Sequence, residues 1–167
     1  GIELLHHTNG VIKLQLPFTN GLPHGHRIMW HPNGQKDSEG GYVDGQRSGL
    51  WETWFANGKP DKKGTFVNGK ATGLQTFWHT NGVKSIEWFY KDGYPHGEMT
   101  RYHENGVKQQ HGFYETNRQH GKWIAWDENG GQIREAEFDK GKLISEKILE
   151  GPPKNNEAKP APQGSDG

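Results

Sequence analysis

Apolar positions in this chain fall in short runs that are cut off, at regular intervals, by polar turn dipeptides. Asn-Gly occurs at Asn9-Gly10, Asn33-Gly34, Asn57-Gly58, Asn81-Gly82, Asn105-Gly106 and Asn129-Gly130, every interval being 24 residues with no insertion. A second turn signal follows each one: Asn20-Gly21, Asp44-Gly45, Asn68-Gly69, Asp92-Gly93, then the weaker Thr116-Asn117 and Lys140-Gly141. Each cassette has room for two strands of about six to eight residues, and alternating turns at this spacing predict a β-meander. A fixed period of this size is the signature of a stacked repeat protein. The expected fold is all-β: an elongated single-layer antiparallel β-meander of stacked 24-residue hairpin repeats. Equivalent positions should lie ~9 to 10 Å apart, so twelve or so strands make a curved rod roughly 55 to 60 Å long.

Turn chemistry sets the expected register. A two-residue turn at Asn33-Gly34 would place Pro32 in a ladder position, where its missing N–H is costly. A three-residue loop suits Pro32-Asn33-Gly34 better, with Pro in a type I turn and Gly34 in the left-handed bulge position. That loop pairs Trp30 with Lys36, Ile28 with Ser38 and His26 with Gly40, which puts even-numbered residues on one face. Because the period is even, the same parity should hold in every repeat. The even face then collects two recurring ladders, Phe18, Tyr42, Phe66, Tyr90, Tyr114 and Phe138, and Trp30, Trp54, Trp78, Tyr102 and Trp126. Gly40, Gly64 and Gly112 leave bare backbone for neighbouring rings to cross. Trp88 interrupts that glycine column. These ladders are the expected core.

The ends depart from the pattern. Ile2 to Thr8 reads as the closing strand of a partial first repeat, with His6 in the aromatic slot. Five full cassettes follow. After Gly141 the pattern fails, and Leu143, Ile144, Ile148 and Leu149 predict a last strand or a short capping helix, since an open edge needs cover. The repeat domain is therefore expected over residues 1–150. Residues 151–167, GPPKNNEAKPAPQGSDG, are Pro-rich and polar, which predicts a disordered tail or linker.

Composition narrows the functional classes. The chain is 29% hydrophobic with 25 glycines, poor material for a thick core, so burial must come from ladders of its 19 aromatics. Twenty basic residues balance twenty acidic ones without a basic stripe, which argues against nucleic acid as a partner. Without cysteine there is no disulfide framework, thiolate metal site or thiol nucleophile. No run reaches the ~20 apolar residues needed to span a bilayer as a helix. The compartment stays open between a bacterial cytoplasm and, if a signal peptide was removed, a periplasm or envelope.

The spaced residues Gly40, Tyr42, Gly45, Gly49, Trp51 and Trp54 form a cassette that resembles the MORN (membrane occupation and recognition nexus) repeat. The Asn-Gly ending and late Trp or Tyr look most like its bacterial variant, found in antitoxins of the YwqK family. The resemblance covers about residues 2 to 145. It implies a single-layer sheet of stacked hairpins used for binding, with roles from toxin neutralisation to scaffolding and, in some members, lipid contact. Leu16, Trp88, Ala136, Thr116-Asn117 and Ser145 depart from the motif.

No chemistry of the catalytic kind emerges from the residues. Carboxylates such as Glu39, Glu52, Glu87, Glu98 and Glu104 fall on strand faces or at turns, where solvated charge is expected, and a single-layer rod offers few places to shift a pKa and exclude water. The histidines recur in turn slots, as in His24, His96 and His120 or His31, His79 and His103, with backbones too far apart to share one zinc. No catalytic residue, metal or cofactor is expected. Binding is better supported: apolar residues that do not recur are free to serve a partner. On the odd face these are Phe77, Phe89, Met99, Phe113 and Trp123 with Arg101 among them, and Trp51 and Phe55 nearer the N-terminus, a composition typical of an interface hot spot. Their competing role is structural filler. The leading expectation is a non-enzymatic module for a protein partner, antitoxin or immunity-like. The alternative is a structural or envelope-associated repeat protein with lipid or glycan contact.

Overall fold

Two kinds of turn, used alternately, build the molecule. At the second turn signal both central residues adopt positive φ, as in Asp44 at 47° and Gly45 at 79°, the type I′ geometry that joins twisted strands with two residues. Thr116 and Asn117 take the same conformation at 47° and 63° without glycine. At the Asn-Gly turns only the glycine is left-handed, Gly34 at 84° for example, as the three-residue loop requires.

The computed structural model describes residues 1–149 and has no helix among them. Its strands are β1 (Ile2–His6), β2 (Ile12–Thr19), β3 (Leu22–Pro23), β4 (Gly25–Trp30), β5 (Lys36–Val43), β6 (Gln46–Trp54), β7 (Pro60–Val67), β8 (Lys70–Trp78), β9 (Lys84–Lys91), β10 (Tyr94–Tyr102), β11 (Lys108–Glu115), β12 (Arg118–Trp126), β13 (Gln132–Asp139) and β14 (Lys142–Ile148). They form one 14-stranded antiparallel sheet in chain order, with the two-residue β3 paired beside β2. The single-layer meander of hairpin repeats is thus the fold, and of the two endings expected for the chain the strand is adopted. The tail expected over residues 151–167 lies outside the described residues.

Register departs from the expected parity, and the cause recurs in every hairpin. Trp30 pairs with Lys36 as anticipated, but Met29 then pairs with Ser38, Ile28 with Glu39 and Arg27 with Gly40. Asp37 is an extra residue, a β-bulge beside the turn. The same slot bulges at Asp61, Ser85, Gln109 and Ile133. One inserted residue transfers every later side chain to the other face. Even residues of β5, β7, β9, β11 and β13 therefore share a face with odd residues of β4, β6, β8, β10 and β12.

That face, here the tyrosine face, holds Tyr42, Phe66, Tyr90, Tyr114 and Phe138 together with Trp51, Trp88, Met99 and Trp123. The core lies here, around Met99, Trp123 and Ala136, with Ile86, Trp88, Tyr114 and Phe138 packed against it. Trp88 does not merely fill a gap in the glycine column; its ring meets Tyr90 at 5.4 Å and Tyr114 at 5.3 Å. The other expected core ladder, Trp30, Trp54, Trp78, Tyr102 and Trp126, falls by strand alternation on the opposite face. This second, glutamate face carries Glu39, Glu52, Glu87, Glu98, Glu135 and Glu137.

Candidate functional site

The eight residues proposed to share one binding face do not do so. Trp51, Phe77, Met99, Arg101 and Trp123 lie on the tyrosine face, Phe89 and Phe113 on the glutamate face, and Phe55 at an Asn-Gly turn. Trp51, Met99 and Trp123 are 5%, 3% and 2% exposed and belong to the core, because the bulges turn these odd positions towards the rings and glycines of neighbouring strands. Trp51 lies over Gly40 and Trp123 over Gly112, where an added Cβ would overlap the indole. Phe77 is half-buried against Ile86, and Arg101 is exposed beside it.

One exposed apolar row crosses the glutamate face at right angles to the strands. Leu50 pairs with Thr65, Leu74 with Phe89, and Glu98 with Phe113, in order across β6 to β11. Leu50, Leu74, Phe89 and Phe113 are 48%, 41%, 43% and 41% exposed. Phe89 and Phe113 were singled out for not recurring; Leu50 and Leu74 were missed because the parity argument placed them with the core.

Around the row, charges are neutralised locally. Lys36 pairs with Glu39 at 2.9 Å, Lys63 with Glu52 at 2.9 Å, Lys84 with Glu87, and Lys122 with Glu135 at 2.6 Å. Hydrogen bonds from Lys36, Lys84 and Lys122 hold Glu39, Glu87 and Glu135 below the usual carboxylate range. Tyr102 donates its hydroxyl to Glu87 at 2.8 Å, and burial together with that bond pushes its pKa up to about 12. Among the described residues no group of three or more His, Cys, Asp or Glu side chains converges as a metal would require.

The recurring turn residues have a definite task. Nε2 of His7, His31, His79 and His103 bonds the carbonyl of Trp30, Trp54, Tyr102 and Trp126, each 23 residues on, at 2.8 to 2.9 Å. Nδ2 of Asn9, Asn33, Asn57, Asn81 and Asn105 donates to carbonyls at the same separation. These side chains staple each hairpin to the next. At the opposite edge backbone and side chains share the task, Gly69 N–H donating to the Arg47 carbonyl at 2.9 Å and the N–H groups of Asp44 and Thr116 donating to Nδ1 of His24 and His96 at 3.4 and 3.3 Å. With the edges stapled and the tyrosine face filled by rings, the glutamate face is held as a firm platform.

Among solved structures, a crystal structure of a mutant of S. aureus TarM, in complex with fondaparinux, alpha-GlcNAc-glycerol and UDP, is similar to this chain at 12% identity with a TM-score of 0.33 over 71% of its length. This chain spans 21% of that one. No curated protein matches. The model of the MORN repeat variant matches four times in tandem, over residues 23–44, 47–68, 71–92 and 95–116, more than half of the 167 residues. Each match runs from a closing strand through an Asn-Gly turn to the type I′ turn, the unit that the bulge and the staples repeat. The chain belongs to the MORN repeat variant family.

Proposed function

We propose that this chain is a non-enzymatic protein-binding module, antitoxin or immunity-like in role, that seats a protein partner on the row of Leu50, Leu74, Phe89 and Phe113. The observation that carries this reading is the exposure of that row on the face opposite the packed rings of Tyr42, Trp51, Tyr114 and Trp123. From β6 to β11 the row crosses five strand spacings, ~24 Å. That breadth suits a standard interface of ≈ 800 Å² per partner. Apolar anchors with Glu98 and paired lysines and glutamates around them match a hot spot with a polar rim. Catalysis is disfavoured by the carboxylates themselves: a general acid needs a raised pKa, whereas Glu39, Glu87 and Glu135 are lowered by their lysines.

The test is capture from lysate of the source cell by the wild type and by Phe89→Ser/Phe113→Ser, with identification of what is held. A protein retained by the wild type and lost by the double variant, at unchanged thermal midpoint, is the expected result; equal retention sinks the proposal. Trp123→Ser is the folding control, and its loss of structure is expected from burial of the ring. The antitoxin role is separable. It requires that the captured protein arrest growth when expressed alone and that this chain relieve the arrest; a harmless partner removes the role and leaves the module.

A further inference from the structure

In a repeat protein the residues demanded by the fold recur, and on the tyrosine face Arg27 and Arg47 do not. Arg27 occupies the slot that holds Trp51, Gln75, Met99 and Trp123 in the following repeats. It pairs with Gly40, as Trp51 pairs with Gly64 and Met99 with Gly112. Arg47 occupies the slot of Pro23, Ala71, Pro95 and Gln119. Both guanidiniums converge on one ring. Cζ of Arg47 lies 4.5 Å from the Trp51 centroid and that of Arg27 lies 5.6 Å from it, while Arg47 is also 5.4 Å from Phe66.

Two like charges against one buried ring are costly unless something offsets them. Burial lowers the pKa of Arg27, and the charge of Arg47 pushes it the same way, while Tyr42 and Asp37 oppose the shift without reversing it. Among the described residues neither arginine has a carboxylate within salt-bridge distance. The nearby acids are engaged elsewhere, Asp37 with His31 at 3.5 Å, Asp44 with His24 at 3.3 Å and Glu39 with Lys36 at 2.9 Å. Arg27 makes only a hydrogen bond to Ser38 Oγ at 3.2 Å and a contact with the Met29 sulfur. Beside Arg47 opens a depression of ≈ 440 Å³ bounded by Tyr42, Gln46, Phe66, Asn68 and Lys70, with no carboxylate in its wall. Cation–π stacking alone does not account for Arg27, since Trp and Met fill the same slot elsewhere without desolvating a charge.

We propose that Arg27 and Arg47, held on the Trp51 ring, form a seat for a carboxylate carried by an acidic peptide segment of a partner. A guanidinium binds a planar carboxylate through two parallel N–H bonds, and the indole beneath excludes water from the pair. Lys70 adds a third cation, and the rings of Tyr42 and Phe66 receive the aliphatic stem of a glutamate or its neighbour. The seat lies on the face opposite the Phe89 row and is independent of that surface.

The experiment is calorimetric titration of a hexaglutamate peptide at low salt into the wild type, Arg47→Gln and Arg27→Met, with thermal midpoints recorded for each. Binding to the wild type is expected, weakened ~10- to 100-fold in both variants, as loss of a charge-assisted hydrogen bond implies. Arg27→Met should at the same time raise the midpoint, because methionine is what the fold uses in that slot at Met99. Three results overturn the proposal: no binding by the wild type, equal binding by the variants, or a lower midpoint for Arg27→Met, which would make Arg27 a structural residue. Inorganic phosphate that competes more tightly than hexaglutamate would also overturn it, assigning the seat to phosphate groups.

Discussion

Gly112 exists because of Trp123. The indole lies flat across the glycine backbone, and a Cβ there would overlap the ring itself rather than the mobile end of a chain. The same relation holds for Gly40 beneath Trp51, whereas at Gly64 the added Cβ would meet the terminal amide of Gln75. A sheet with only one layer buries an indole to 2% exposure by this device: glycine lowers the floor, and Tyr114 at 5.2 Å and Phe138 at 6.2 Å supply edge-to-face walls. Gly112→Ala forces the ring to move within a packed cluster and should cost about 1 to 3 kcal/mol, the range for overpacking a core. Chemical denaturation reads this directly. Gly49→Ala, where nothing lies within 4 Å of the added Cβ but φ is +76°, isolates backbone strain for comparison. If Gly112→Ala costs less than Gly49→Ala, the ring-over-glycine account is wrong.

At the scale of the hairpin, the period, the positions of both turns and the Pro32-Asn33-Gly34 loop were legible because each depends on a residue with unusual backbone needs. The face of each side chain was not. The bulge slot holds Asp37, Asp61, Ser85, Gln109 and Ile133, residues without common chemistry, since bulging there demands room and no particular side chain. That hidden residue sent Trp51, Met99 and Trp123 from the surface to the core, and Leu50 and Leu74 the other way. The histidine and asparagine slots recurred plainly in the sequence, yet their role was invisible, because a staple joins residues 23 apart and needs the neighbouring hairpin to be seen. The staples make a testable prediction. Asn105 donates to the Glu128 carbonyl at 2.8 Å and accepts from Val107 N–H at 3.0 Å. Asn105→Ala should therefore cost about 1 to 2 kcal/mol, two bonds of modest net value. Unchanged stability in chemical denaturation would show that the staples are idle.

At the scale of the whole molecule, the ring contacts among the described residues fall into two chains on the tyrosine face. Tyr42, Trp51 and Phe66 form one chain of contacts at 5.1 and 6.4 Å, and Tyr90, Trp88, Tyr114, Trp123 and Phe138 form another. The residue between them, in the slot of Trp51 and Trp123, is Gln75. Its amide donates to the carbonyls of Thr65 at 3.2 Å and Thr72 at 3.0 Å, taking over the bond that Trp51 Nε1 makes to Gly41 at 3.1 Å. Gln75 thus preserves the polar connection and drops the apolar one. In a repeat array stability is a sum of units and nearest-neighbour terms, so a weak junction divides the sheet into cooperative blocks. The buried cluster of Met99, Trp123 and Ala136 lies wholly in the second block, while the first is built on Trp51 with two charges against it. Amide exchange should accordingly be slowest in β10 to β13 and faster in β4 to β6, with the step at β7 and β8. Gln75→Leu strands two carbonyls and should cost about 1 to 3 kcal/mol. Because the junction rather than either block is damaged, exchange in β4 to β6 should accelerate at least ~10-fold while that in β10 to β13 changes little. Uniform acceleration along the chain would mean that the sheet unfolds as one unit and that the gap between the two ring chains has no energetic meaning.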